Sequence, residues 1–546
     1  MARVVRAAQA AARAALVAFA AAAVPLVALA QAQPPTPGTV LETVPGAKPA
    51  PAPVPQLVFP REEEGAPDRG GPRFAVFGFA FSGNTVFSEA RLRRFVERYV
   101  DQELNLFELN RAADAITRFY RDQGYPVARA IVPAQRVEDG LVHIQVVEGR
   151  IGRVVFQGNH RYSEAFLAAR TGALLREPVL TIGALERALL LLNDLPGVTA
   201  RVTLEPGKEF GTTDAVVAVQ ERLLEGQLQI ANTGRTEVGS LRFDVGASLD
   251  NPLGLGDQLS ARSIRSQQGL FDYRRIGYSL PLLPSGLRFS GGLSRVDYRV
   301  AGDFAALGIR GTVKTTDAGL SYPLKRSRLT NLVLSAGHRR TEAEQSALGV
   351  PVARTSIELF TASLATTWVH ADSSASALTL SFSGNGKDNV GPVAKPDALR
   401  ARTDIDYTYL TGISPRWDLF LHGQLVQTAG AAPDTEKFGL GGPDSVRAFR
   451  SSELRGDDGW LTQVEFRRQF SVGELVGVGS LFYDWGGVRN RGFTGQDKLQ
   501  GVGAGVTFFP ARNFRAQVQV ATPFQSRVPG DHKSGARLWV SIAAQF

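Results

Sequence analysis

The sequence predicts two α+β domains, each with the order β-α-α-β-β, followed by a transmembrane antiparallel β-barrel. Three observations support this fold class. The motif FSGNTVFSEARL at residues 81–92 returns 75 residues later as FQGNHRYSEAFL, which indicates a duplicated small domain. From residue 223 onward, apolar and polar residues alternate with a period of two, as they do in strands with one apolar face. After residue 32, no run reaches the roughly 18 apolar residues that a transmembrane helix needs, so a chain that enters the membrane must cross it as strands.

Residues 1–32 have the layout of a signal peptide. Arg3, Arg6 and Arg13 form a basic start, an apolar run occupies residues 14–30, and small residues at its end offer a cleavage site. The alternative is an uncleaved membrane anchor. The run is short for a spanning helix and ends in small residues, so we expect cleavage after export.

Residues 33–73 are dominated by proline, with eleven in this stretch. Such a composition cannot build a core, and the segment should be extended or disordered. We therefore expect a periplasmic tether here, and the stretch shows no clear amphipathic helix.

The two repeated domains are predicted at residues 74–150 and 151–222. In each copy a strand ends at a Gly-Asn turn, and Ser88 or Ser163 follows in position to cap a helix. The second helix of the first copy has an apolar stripe formed by Leu109, Ala112, Ile116, Phe119 and Tyr120. Neither copy groups acids and histidines at catalytic or metal-ligand spacing. We interpret both as docking modules whose sheet edges could accept a strand from an extended polypeptide.

Residues 223–546 are predicted to form the barrel. A soluble β-sandwich also alternates, but this segment shows no helices that could cover a second face, whereas a membrane barrel turns its apolar face to lipid. At about 9 to 11 residues per crossing strand, with connections of similar length, the segment suits roughly 16 strands. The terminal Phe546 ends an alternating strand that should close the barrel against the first one. Its aromatic ring is expected at the membrane interface.

A glycine-rich loop near residues 438–456 carries Arg447 between apolar neighbours. One interpretation is an ordinary polar position on a loop. The other is a charge carried into an enclosed space, where a guanidinium is costly unless a carboxylate meets it. Asp484 is the only charged residue in the stretch 481–488, and we interpret it as that partner.

Composition excludes several other functions. The chain has no cysteine, so neither a disulfide framework nor thiolate chemistry is available. Removing three signal-peptide arginines from the formal charge of +9 leaves +6, which is spread along the chain without a basic, aromatic-rich tract. Nucleic-acid binding is therefore not expected. The six histidines form no HExxH motif and no Walker-type glycine loop is present, so we predict no catalytic residues, no cofactor and no metal.

With this order of elements, residues 75–546 resemble the TpsB transporters of two-partner secretion, relatives of the outer-membrane protein insertion machinery. In that family the repeated domains are called POTRA domains. Residues 124–151 look like the end of a first TpsB POTRA domain. The ANTG stretch at residue 231 and NPLGLGDQL at residue 251 look like the family's first barrel hairpin, and YSLPL at residue 278 resembles the next strand.

Two further motifs carry the resemblance. The family's loop motif, usually Val-Arg-Gly-Tyr/Phe, is matched by Val446, Arg447, Ala448 and Phe449. Its barrel-wall motif, Phe-x-Asp-x-Gly, is matched by Phe482, Asp484 and Gly486. The resemblance implies that the loop folds back into the lumen and that Arg447 pairs with Asp484. Ala448 replaces the family glycine, which would cost on the order of 1 kcal/mol if the position needed a positive φ. The tether offers no clear counterpart of the plug helix common in the family.

The implied function is that of a porin-like channel in the outer membrane, with its POTRA domains in the periplasm. It would recognise an unfolded exoprotein with an N-terminal secretion domain, such as a haemolysin, and translocate it to the cell surface or medium. Outer-membrane lipids are implied partners, as are the periplasmic chaperones and barrel assembly machinery that insert the protein. The alternative is an insertase that assists assembly of other barrel proteins.

Overall fold

The computed structural model describes residues 34–44, 71–390, 399–511, 513–524 and 535–546, together with the backbone of residues 57–58. The predicted signal peptide and most of the predicted tether lie outside these residues. Among the helices of the described ranges, none is long and apolar enough to cross a membrane.

The described part of the chain contains five α-helices. They are α1 (Pro37–Glu42), α2 (Glu89–Val96), α3 (Leu106–Asp122), α4 (Glu164–Thr171) and α5 (Ile182–Asn193). Nine strands precede the barrel. They are β1 (Leu57–Val58), β2 (Phe74–Val76), β3 (Gly78–Ser82), β4 (Gln102–Leu104), β5 (Arg129–Ile131), β6 (Leu141–Val147), β7 (Arg150–Gln157), β8 (Val198–Pro206) and β9 (Thr212–Glu221).

Eighteen strands follow, of which β21 and β22 belong to a loop and the other sixteen form the barrel. They are β10 (Leu224–Ala231), β11 (Arg242–Asp250), β12 (Gln258–Ser266), β13 (Phe271–Pro281), β14 (Arg288–Arg299), β15 (Arg310–Arg326), β16 (Thr330–Ala347), β17 (Val350–Val369), β18 (Ala375–Val390), β19 (Ala401–Ser414), β20 (Trp417–Ala429), β21 (Phe438–Leu440), β22 (Leu454–Gly456), β23 (Asp458–Val472), β24 (Leu475–Arg489), β25 (Asp497–Ala511), β26 (Phe514–Pro523) and β27 (Arg537–Gln545).

The first α+β domain packs α2 and α3 on a three-stranded sheet of order β3-β6-β5. The strands β3 and β6 run parallel, and β5 and β6 run antiparallel. The five apolar residues predicted as the stripe of α3 are all buried. The prediction missed the short antiparallel pair of β2 with β4, because strands of three residues leave too little alternation to be seen.

The Gly-Asn turn of the first domain is held by a glutamate at the end of its sheet. Asn84 donates its side-chain amide to a carbonyl three residues on, at 2.9 Å. The Glu148 carboxylate accepts the backbone N–H groups of Thr85 and Val86 at 2.8 Å each, and the Tyr120 hydroxyl at 2.9 Å. Burial, and then the neighbouring carboxylate, raise the pKa of Tyr120 above its ordinary value. Glu148 thus ties the turn to α3.

The second domain repeats this arrangement. Asn159 donates to the Tyr162 carbonyl at 3.0 Å. The Glu221 carboxylate accepts the N–H groups of His160, Arg161 and Tyr162, at 3.3, 2.7 and 3.2 Å. The two domains therefore share not only a sequence motif but also the same hydrogen-bonded turn, in which a glutamate accepts the backbone N–H groups that follow the Gly-Asn pair.

We expect Glu148→Gln to destabilise the first domain, because a neutral amide oxygen accepts the two N–H groups and the Tyr120 hydroxyl more weakly than a carboxylate does, and the amide nitrogen replaces the oxygen that accepts the Thr85 hydroxyl. A loss of about 1 to 3 kcal/mol in the free energy of unfolding is expected. Proteolysis of the periplasmic part in increasing urea measures it in the intact protein. The matched control is Glu97→Gln, which is exposed on the same domain. Equal proteolysis of the two variants would contradict the assignment.

The second domain has a sheet of order β1-β8-β9-β7, and β1 is unexpected. It comes from the predicted tether and pairs in parallel with β8, with Leu57 opposite Val202 and Val58 opposite Thr203. Part of the tether therefore adds a strand to a domain that lies far along the chain.

The helix α1 corrects the prediction of an extended tether at residues 33–73. Pro37 occupies the first turn, and the Thr36 hydroxyl accepts the Thr39 N–H as a cap. The helix packs inside the barrel, where Val40 is fully buried against inward-facing apolar residues of β12 to β16. Six residues are too few to show helical periodicity, and short helices depend on tertiary contacts. The start signal, a cap followed by proline, was present in the sequence.

The barrel is closed and antiparallel, and sixteen strands agree with the predicted number. Its faces are reversed relative to a soluble sheet: Phe243 and Val245 are 41% and 49% exposed, whereas Asp244 between them is 6% exposed. Strand β10 closes on β27, and beyond their ladder the backbones of Gly226 and Phe546 exchange two hydrogen bonds of 2.8 and 3.0 Å. Phe546 is 61% exposed, and its place at the membrane interface stays a prediction.

The second domain is docked on the turns at one end of the barrel. Asp194, which caps the C-terminal end of α5, forms two hydrogen bonds with Arg326, of 2.5 and 3.0 Å. Its backbone carbonyl accepts Arg288 at 3.0 Å. These contacts place the second domain at one mouth of the barrel.

Candidate functional site in the barrel lumen

The strands β20 and β23 are neighbours in the barrel, and the residues between them, 430–457, fold inward as one loop, hereafter the lumen loop. Its stem is the antiparallel pair of β21 with β22. At the tip, Gly441 and Gly442 adopt φ values of 109° and 110°, which other residues rarely adopt. This turn carries the following residues to the barrel wall.

Arg447 at the tip lies against two wall carboxylates. Its Nε and one terminal nitrogen donate to the two oxygens of Asp484, at 2.8 and 2.7 Å, and its backbone N–H donates to the same carboxylate at 3.0 Å. The other terminal nitrogen donates to Glu465 at 2.7 Å. The guanidinium carbon lies 3.3 Å from the centre of the Phe482 ring. The structure thus brings together Arg447, Asp484 and Phe482 from the two predicted motifs.

The charges around Arg447 are balanced. Glu465 also accepts Arg467 at 2.9 Å, so two cations and two anions form one group, hereafter the arginine cluster: Arg447, Asp484, Glu465 and Arg467. Asp484 is 0% exposed and Glu465 is 8% exposed. Breaking one buried pair leaves an uncompensated charge. The cluster is therefore stable only when the loop tip sits fully in place.

Small residues allow the close approach of the loop to the wall. A Cβ on Gly486, the third residue of the wall motif, would collide with the Trp460 carbonyl and the Leu440 side chain. A Cβ on Gly501 would collide with that of Ala448. Ala448 is not among the described non-glycine residues with positive φ, so the strain considered for this substitution of the family glycine does not arise. Its methyl group occupies space that Gly501 leaves open.

The flanking motif residues Val446 and Phe449 are both fully buried. They pack in one apolar cluster with Phe482 and residues of β24 to β26. The loop tip is therefore anchored by apolar contacts as well as by charge.

Three wall residues that hold the loop were missed by sequence reasoning. They are Glu465, Gln463, which donates to the Ser445 carbonyl at 2.7 Å, and Trp539, whose indole N–H donates to the Arg447 carbonyl at 2.7 Å. Gln463 and Glu465 alternate with apolar residues in β23. That alternation places both side chains on one face of the strand but does not show that they meet the loop, and nothing in the sequence linked Trp539 to the loop.

The first barrel hairpin provides a second anchor. The Thr233 carbonyl accepts the Ser451 hydroxyl at 3.1 Å, and Arg235 donates to the carbonyls of Ser451 and Ser452 at 3.2 and 3.3 Å. Glu237 accepts the next arginine of the loop, Arg450, at 3.0 Å. The connection between β10 and β11, which begins with the ANTG stretch, therefore holds the returning half of the lumen loop.

The helix α1 provides a third anchor. Glu42 accepts the Ser452 hydroxyl and lies 3.5 Å from Arg455 of the loop. At the C-terminal end of the helix, Arg242 donates to the Thr43 carbonyl and hydroxyl at 2.8 and 2.7 Å. The helix thus lies between the lumen loop and the opposite wall, and it occupies part of the lumen.

Among the residues that the structure describes, no group of three or more His, Asp or Glu side chains is placed to hold a metal ion. The site is built from hydrogen bonds, ion pairs and apolar packing.

We expect Arg447→Ala to release the loop tip, because Asp484 and Glu465 would be left buried without their cation, at a cost of about 3 to 5 kcal/mol. The chain lacks cysteine, so Val446→Cys provides a single buried thiol whose maleimide labelling reports release. Labelling should rise by roughly a hundredfold or more. Arg468→Ala, an exposed neighbour in β23, is the control. A rate unchanged by Arg447→Ala would mean that the cluster does not hold the loop.

Comparisons with known proteins agree with this architecture. Residues 211–508, more than half of the 546-residue chain, match the family described as haemolysin secretion/activation protein ShlB/FhaC/HecB. Residues 74–149 match the POTRA domain of ShlB type.

Individual relatives align over most of their length. The heme/hemopexin transporter protein HuxB of Haemophilus influenzae strain 86-028NP is 27% identical over 481 residues, spanning 83% of this chain and 84% of the relative. The outer membrane transporter CdiB of Escherichia coli O6:K15:H31 is 27% identical over 451 residues, spanning 75% and 71%. The solved structure of CdiB from Escherichia coli has a TM-score of 0.70 at 21% identity, covering 89% of this chain and 92% of that one. This last likeness is one of fold.

Proposed function

The chain belongs to the haemolysin secretion/activation protein family ShlB/FhaC/HecB, and from this premise we propose how its lumen and its POTRA domains carry out transport. It is an outer-membrane transporter of two-partner secretion, which passes an exoprotein from the periplasm to the cell surface or medium. Its relatives are transporters, and this favours export over the insertase alternative.

We propose that the lumen loop acts as a removable barrier with the arginine cluster as its lock. The observation that carries this proposal is the burial of Arg447 between Asp484 and Glu465, inside the space that a cargo must cross. An extended polypeptide needs room that the loop and α1 occupy. Because a half-broken buried cluster is costly, the loop has two discrete positions and little stability between them.

Replacing Arg447 by alanine should leave an inserted, ion-conducting barrel but sharply reduce export, because the loop no longer has a defined position on the wall. The measurement is the amount of exoprotein in the medium, on the cell surface and in the periplasm. The matched control is Arg468→Ala. Normal export by Arg447→Ala would remove the arginine from the mechanism.

We propose that the cargo is an exoprotein with an N-terminal secretion domain and that it is captured by strand addition. The edge of β8 supports this, since it accepts the extended segment β1 in parallel in this structure. Main-chain hydrogen bonds to an edge strand depend little on the sequence that is added. The same edge would receive cargo once β1 has left.

Holding β1 on β8 by a disulfide should therefore block export. Val58 and Thr203 are register partners, and neighbouring strands bring Cα atoms within disulfide range. The variant Val58→Cys with Thr203→Cys should export poorly when oxidised and recover on reduction. Each single cysteine variant serves as its control. Full export by a completely cross-linked protein would show that this edge does not capture cargo.

The remaining partners follow from the barrel surface. We propose that its outward apolar residues contact outer-membrane lipids, and that periplasmic chaperones and the barrel assembly machinery insert it through the strand that ends at Phe546. We further propose that export involves no catalytic step in this chain. Folding of the cargo outside the cell would supply the driving force.

A further inference from the structure

One histidine of the barrel wall is connected to the lumen loop by hydrogen bonds. His422 lies on β20 and faces the lumen with 14% of its side chain exposed. Its Nδ1 lies 2.9 Å from Oε1 of Gln463, and its Nε2 lies 3.1 Å from Oδ2 of Asp406. Gln463 is the residue that donates to the Ser445 carbonyl of the loop. The histidine is therefore one side chain away from the loop backbone.

The orientation of the Gln463 amide follows from its surroundings. Its nitrogen donates to the Ser445 carbonyl at 2.7 Å and faces an oxygen of Asp484 at 3.3 Å. If the amide were turned over, its oxygen would face these two acceptors. The nitrogen therefore points to the loop, and the oxygen points to His422.

This orientation determines the hydrogens on His422. The Gln463 oxygen accepts, so Nδ1 must donate. Asp406 also accepts the Gln424 amide through the same oxygen, at 2.7 Å, and as a carboxylate it can only accept, so Nε2 must donate as well. Both nitrogens of an imidazole donate only when the ring is an imidazolium. The neutral ring would leave one acceptor facing another.

The other charged groups around the ring are mutually compensated. Glu465 and Arg467 lie on β23, Asp484 lies on β24, and Arg447 comes from the lumen loop. These four form the arginine cluster. Asp406 on β19 lies outside the cluster and has the direct contact with the ring. It is therefore the carboxylate that stabilises the imidazolium.

We propose that His422, as an imidazolium, is a positioning residue of the loop lock: it orients the Gln463 amide, which in turn holds the Ser445 carbonyl against the wall. This inference rests on the proposal that the lumen loop is the barrier. The lock is complete while the ring is charged and weakens as rising pH removes the proton. The alternative is that the histidine only fills space. In that case the charge of His422 would not affect how tightly the lumen loop is held.

The thiol of Val446→Cys tests this in the full-length protein. Its maleimide labelling rate is divided by the rate of the same thiol in urea-unfolded protein at each pH, which removes the reactivity of the thiol itself. Between about pH 5.5 and about pH 8.5, on either side of the ordinary imidazole pKa, the ratio should rise roughly tenfold. A charge-assisted hydrogen bond has this strength.

Two variants should act in opposite directions. In His422→Gln, with the imidazolium gone, the ratio should be high at both pH values. In Asp406→Asn, the amide nitrogen can donate to Nε2 when the Gln424 amide turns its oxygen toward it, so a neutral ring can still donate from Nδ1 to Gln463. There the ratio should stay low at both pH values. A role limited to filling space would not separate the two variants in this way.

The control is His338→Gln, which changes a histidine of β16 beside Glu358 and Phe360, with 38% of its side chain exposed. It should keep the pH profile of the parent. Heat-dependent mobility on gels confirms that each barrel is folded. A pH profile that survives in His422→Gln, or that persists in Asp406→Asn, overturns the inference. If the labelling results stand while Arg447→Ala exports normally, the lock exists but export does not depend on it.

Discussion

The buried guanidinium of Arg447 imposes the main constraint on the lumen. A cation removed from water must find carboxylates with good geometry, and the wall supplies Asp484 on β24 and Glu465 on β23. Reaching both requires a loop that turns inward at Gly441 and Gly442 and approaches the wall closely. The length of the loop, its two glycines and the two wall carboxylates are thus all required to place the one guanidinium of Arg447.

That constraint also explains why the loop has three anchors on different parts of the barrel. The tip is held by the wall, the returning half by the first hairpin through Arg235, and the base by α1 through Glu42. The tip has a further contact to the last strand through Trp539. The last strand, β27, and the connection that follows the first strand, β10, therefore both contact the loop, so its position on the wall depends on a correctly closed barrel.

The pairing of Arg447 with Asp484 could be predicted because both are isolated charges in apolar stretches, and burial of one demands the other. Glu465 and Gln463 were not predicted, since they lie among many polar residues of an alternating strand and only register shows which of them meet the loop. Trp539 lies 92 residues beyond Arg447. Its contact follows from barrel closure, which no local pattern encodes.

The helix α1 could not be predicted from the sequence for a different reason. The architecture of domains and barrel follows from long periodic patterns, and it was predicted from them. A six-residue helix has no such pattern, and its stability comes from Val40 against the wall and from Thr43 beneath Arg242. A proline-rich composition correctly indicates that a segment has no core of its own. It does not indicate whether the segment packs against the core of another part of the protein, as this helix packs against the barrel wall.

Other arginines of the lumen wall are also paired with carboxylates. Arg262 pairs with Asp244 across neighbouring strands, and Arg275 pairs with Asp317, each at 2.6 Å. A wall with a strong field of one sign would bind cargo segments of the opposite charge, and passage requires binding weak enough for release. Pairing these arginines with acids keeps this part of the wall polar without such a field. Arg447 follows the same rule, except that its pair joins a movable loop to the wall, so breaking it exposes charge only while the loop is displaced.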